Sequence, residues 1–141
     1  MNTQNILLIC LYIGGAGQIF VALIYEWVRR ILDWDADVDR MSHIWNRQIV
    51  HTYSRYIQGI NFVFGVITLG LAPYLLDGHP VSRALSGVIA LYWGGRLIVA
   101  LGYYDTMTIT RTRRLYRTGA WFFNGLFAYL AVVYGWVALL P

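Results

Sequence analysis

The chain has 141 residues, of which 58% are hydrophobic and only 13% charged, and its net charge is +4. That length allows one domain, and the charge content is about half of the quarter that soluble domains carry, so a water-soluble globular protein is excluded. All 11 basic residues are arginines. They cluster beside apolar runs, which points to membrane lipids as partners and not to nucleic acid.

A spanning helix needs roughly 20 mostly apolar residues. Four stretches meet this, about 6–27, 56–76, 84–104 and 118–140. The fold class expected is therefore all-α: a single four-span integral membrane four-helix bundle over residues 1–141. The first span does not read as a cleaved signal, because residues 1–5 carry no positive charge and the apolar run continues past Gly14, Gly15 and Gly17. Cys10 lies within it and is the only cysteine, so no intrachain disulfide can form.

The loop after the first span holds Arg29, Arg30, Arg40, Arg47 and Arg55. Within it Trp34, Val38, Met41 and Trp45 recur at helical spacing, which predicts a short amphipathic helix at the cytoplasmic interface or a span continued beyond the bilayer. The acidic run Asp33 to Asp39 reads as a solvated face. The second loop, Asp77-Gly78-His79-Pro80, is a tight turn and adds only Arg83. The third loop holds Arg111, Arg113, Arg114 and Arg117. Positive loops stay in the cytoplasm, so both termini are expected outside, with Trp27, Trp34, Trp45, Tyr103, Tyr104 and Trp121 as a cytoplasmic-side aromatic belt.

Small residues bring membrane helices together. The third span is rich in them, with Ser86, Ala90 and Gly94 spaced four apart; Gly14, Gly15 and Gly17 mark the first span and Gly59, Gly65 and Gly70 the second. Their number suggests a homo-oligomer or a place in a larger membrane complex.

The candidate site is a polar layer. Arg96 falls about 12 Å inside the third span, counted from Tyr104 at 1.5 Å per residue. A cation there costs at least about 2.5–3.5 kcal/mol unless it faces protein, water or a partner. Gln18, Asn61 and Asn124 occur at similar depth in the other three spans. On the second span His51, Arg55, Gln58 and Asn61 share one face, flanked by Tyr53 and Tyr56. The expected ligand-binding set is thus Arg96, Asn61, Gln58, Arg55, His51, Tyr56, Gln18, Asn124 and Tyr104, with Glu26 and Asp105 as nearby carboxylates. The layer is either a hydrogen-bonded network that fixes helix register or a pocket for an amphipathic ligand with an anionic head, which arginine grips through its planar fork. His43, His51 and His79 lack metal-ligand spacing, so no metal is expected. No nucleophile motif, phosphate loop or cofactor signature is present, and the cofactor question stays open.

Tyr92-Trp93-Gly94-Gly95-Arg96-Leu97, Tyr53-Ser54-Arg55-Tyr56-Ile57, Tyr103-Tyr104-Asp105 and Leu32-Asp33-Trp34 resemble segments of a family of small bacterial four-span integral membrane proteins of uncharacterised function. The resemblance covers most of the chain and implies a bacterial inner-membrane location. Length, four spans, outside termini and a long first cytoplasmic loop are also similar to the membrane-associated eicosanoid and glutathione metabolism proteins, which include microsomal glutathione transferases. That resemblance implies trimers that bind glutathione through arginine, asparagine and tyrosine. Asp39-Arg40 with Asn46, and Arg96 with Tyr103, are similar in type. Against the family's Glu-Arg-x-x-Arg-Ala-His-x-Asn, the spacing here is off by one and the second arginine is missing.

Three classes of function remain. The chain is a ligand-binding protein or an accessory subunit of a membrane assembly, a membrane enzyme of the microsomal glutathione transferase type acting on lipophilic substrates, or a transporter.

Overall fold

The computed structural model describes residues 2–103 and 114–140, and these are helical with no strand among them. The helices are α1 (Thr3–Ile31), α2 (Trp34–Asp39), α3 (Ile44–Leu75), α4 (Pro80–Gly102) and α5 (Arg114–Ala138). Four of them, all but α2, are long and apolar enough to cross a membrane. Tyr104, Asp105, Arg111 and Arg113, named above for the third span and loop, lie outside the described residues.

The helices outrun the apolar runs that predict them. At 1.5 Å per residue the 32 residues of α3 make about 48 Å, against a hydrocarbon core of about 30 Å. The excess lies at its start, where Ile44 to Arg55 continue the helix in polar sequence. The stripe Trp34–Val38–Met41–Trp45 does not form one helix. Asp33 takes a left-handed conformation (φ 51°, ψ 34°) that ends α1, α2 runs for six residues, and the chain is non-helical from 40 to 43. Val38 is buried, while Trp45 on α3 is 74% exposed. A short helix with Val38 buried and its acids exposed does form between the spans, as α2, but Met41 falls in the break and Trp45 on α3, which begins at Ile44 ahead of the apolar run.

The turn between α3 and α4 is built as its sequence predicts. Gly78 supplies φ 74°, a value open to glycine at no steric cost. The Asp77 carboxylate accepts from the His79 amide at 2.8 Å, and His79 Nδ1 accepts from the Val81 amide, capping α4 just before Pro80 at its first turn.

The chain divides into two compact units. One comprises Met1–Gly14 and Leu71–Pro141, the other Gly15–Gly70. In the first, α4 packs along α5. Its buried side chains are mostly apolar: Leu7, Leu11, Ile89, Trp93, Phe127, Leu130, Val133, Tyr134 and Val137, with Ser86 among them. Arg83 Nε donates to the carbonyl of Ala138 at 3.2 Å, so the start of α4 caps the end of α5.

The second unit is built differently. Its buried residues include Gln18, Arg29, Ser54, Asn61 and Thr68 beside Val21, Ala22 and Val38. Ser54, Gln58, Asn61, Gly65 and Thr68 alternate four and three residues apart, a heptad stripe on one face of α3. In an apolar solvent there is no hydrophobic gain in burying leucine against leucine, so small and polar residues make the better seam. Ser54 and Thr68 donate their hydroxyls back to the carbonyls of Val50 and Phe64, at 2.6 and 2.8 Å. That satisfies both hydroxyl donors within α3 itself.

Candidate functional site

In the first unit the candidate site centres on Arg96. It lies six residues before Gly102, about 9 Å from the end of α4. Its guanidinium is half-buried among aromatic rings. The carbon Cζ is 5.3 Å from the centroid of Phe127 on α5, 5.8 Å from Trp93 and 6.0 Å from Tyr92. Nη1 donates to the Tyr92 hydroxyl at 3.2 Å. Trp93 is fully buried and stacks at 5.1 Å on Phe127, which continues to Phe123 at 6.2 Å. These rings form one continuous aromatic wall beside the guanidinium. Ring faces attract a guanidinium by about 0.5–2 kcal/mol each. They do so without cancelling its charge, and among the described residues no carboxylate pairs with it. Asn124, on the same helix as Phe123 and Phe127, is half-buried.

The second unit holds the rest of the expected layer. Gln18 is fully buried on α1 and Asn61 almost so on α3. Gln58 donates to the carbonyl of Ala22 at 3.0 Å, tying α3 to α1. Arg55 is exposed; its Nη1 makes an ion pair with Glu26 and lies 3.4 Å from Gln58 Oε1. Tyr56 is 66% exposed. His51 is half-buried against α2. Tyr104 lies outside the described residues. The expected layer thus consists of an aromatic-walled arginine in one unit and a polar α1–α3 seam in the other.

The seam continues into a charged cluster that the sequence alone did not reveal. Arg29, near the end of α1, is only 5% exposed and bonds Asp35 of α2 through Nη2. Its Nη1 lies 3.7 Å from Glu26, and its Cζ 5.8 Å from the Tyr25 ring. Nε and Nη1 are buried without a hydrogen-bond partner. Asp39 is met by Arg47, whose Nη1 also donates to its backbone carbonyl at 3.3 Å. His51 lies between Asp35 and Asp39, with each ring nitrogen 3.8 Å from one of them. All four aspartates from Asp33 to Asp39 are exposed, as a solvated face requires, and Asp37 pairs at 3.1 Å with exposed Arg40. Asp35 and Asp39 in addition tie α2 to its neighbours through Arg29 and Arg47. Alternate acids at 35, 37 and 39 place 35 and 39 on one helical face, and that spacing was the available signal.

Among the described residues no cluster of three or more histidine, cysteine or acidic groups could hold a metal ion. Asp39 ends α2, Arg40 opens the break that follows it, and Asn46 lies beyond the break on α3. No protein-family model, no curated protein and no solved structure significantly matches the chain.

Proposed function

We propose that the chain is a small bacterial inner-membrane protein that binds a lipid-like or amphipathic ligand with an anionic head at Arg96. The observation that carries this reading is the guanidinium held by Tyr92, Trp93 and Phe127 with no carboxylate beside it among the described residues. An anionic head completes the charge, and the aromatic wall suits an apolar tail. The arginine-rich first and third loops support cytoplasmic placement of that end of α4, with both termini periplasmic. The polar seam of α1 and α3 is assigned to register and not to ligand. Among the described residues Gly59, Gly94 and Gly95 have nothing within 4 Å of an added methyl, which leaves their surfaces open to a second copy or to a larger complex.

Native mass spectrometry of protein released from nanodiscs of mixed anionic and zwitterionic lipid tests the reading. Wild type should retain an anionic amphiphile, Arg96→Lys a reduced amount, and Arg96→Leu none while keeping its helix content. Retention unchanged in Arg96→Leu would end the proposal. A glutathione adduct in place of lipid would move the chain to the glutathione-dependent class.

A further inference from the structure

Both nitrogens of His51 face a carboxylate, Nδ1 toward Asp35 and Nε2 toward Asp39, each at 3.8 Å. A neutral imidazole has one N–H and one lone pair, so one of its nitrogens would face an anionic oxygen with no proton between them. At 3.8 Å the contacts are ion-pair and not hydrogen-bond distances, and only the imidazolium carries a charge that attracts both carboxylates. The two acids are four residues apart, on one face of the six-residue α2, and His51 stands on α3. We propose that His51 is the proton-binding centre of a clasp that holds α2 against α3, closed when the ring is charged and loosened when it is neutral.

The other charged groups of the cluster set the size of the effect. From α1, Arg29 bonds Asp35 and Glu26 pairs with Arg55; from α3, Arg47 pairs with Asp39. The two arginine contacts to α2 persist whatever the state of the ring, so loss of the proton weakens the clasp without freeing the helix. The acids are 58% and 62% exposed, which keeps each ion pair in the weak, solvent-screened class. The sign follows from the geometry. The clasp is tighter with the proton on the ring than without it, so it loosens as pH rises.

Amide hydrogen exchange of residues 34–39, measured on the full chain in nanodiscs and normalised for intrinsic rates, reads the clasp directly. Wild type should be about two- to five-fold more protected at about pH 5.5 than at about pH 8. His51→Gln should lose that difference. His51→Arg, charged throughout, should stay protected at both. Equal pH dependence in wild type and His51→Gln, or a wild-type-like loss of protection in His51→Arg at the higher pH, would overturn the proposal.

Discussion

Asp33 joins α1 to α2 with φ 51°, a region that non-glycine residues enter at a cost. Aspartate is among the few that tolerate it, because a short polar side chain can hydrogen-bond to nearby backbone. A β-branched residue does not share that tolerance. Asp33→Val should destabilise the protein by about 1–2 kcal/mol, and Asp33→Gly should be neutral within about 0.5 kcal/mol. Denaturant-induced unfolding in detergent, followed by helix content, checks both. Arg96 and Arg29 show what single residues disclose in sequence. Arg96 stands alone in an apolar run, so its depth and cost are plain from position. Arg29 sits beside Arg30 at the end of a span, where arginine is read as a topology signal. Its burial depends on Asp35, and no local pattern announces that the chain turns back at Asp33.

The pairing of α1 with α3 depends on two glycines. A methyl built on Gly65 would lie 2.6 Å from Ile19 Cγ1 and 2.8 Å from the carbonyl oxygen of Gly15, and one on Gly15 would meet Leu69 at 2.9 Å. Backbone is in the way at Gly65, so the helices must separate to admit a side chain. Gly65→Ala should cost about 1–3 kcal/mol, whereas Gly59→Ala, with open space around it, should change stability by less than about 0.5 kcal/mol. Thermal unfolding of the two variants in the same detergent compares them. Sequence showed that glycines were available for close approach but not which ones make it. The α4 strip that looked smoothest includes Gly94, which meets nothing within 4 Å, while Gly65 is tightly enclosed. The four long helices were legible because apolar length is itself the signal. The start of α3 was legible only as one of two alternatives, a continued span, because Arg47, His51 and Arg55 interrupt the apolar run while the helix continues. The break at 40–43 was hidden for a different reason: the Trp34–Trp45 stripe crosses it at helical spacing, with no glycine or proline to mark a stop.

Across the whole molecule, one unit buries chiefly apolar side chains around Trp93 and Tyr134, and the other buries chiefly polar ones along α1 and α3. Polar side chains tie α1 to α3 in one unit, and in the other Arg96 meets three rings and the Tyr92 hydroxyl but no carboxylate among the described residues. The central claim is that this charge serves an anionic amphiphile. Isothermal titration of delipidated protein with a long-chain carboxylate and with its neutral methyl ester separates charge from greasiness. A charge-assisted hydrogen bond contributes about 1.5–3 kcal/mol, so wild type should bind the carboxylate about 10- to 100-fold more tightly than the ester, and Arg96→Leu should bind the two alike. Equal affinity in wild type, or a preference for the carboxylate that survives in Arg96→Leu, would contradict the claim.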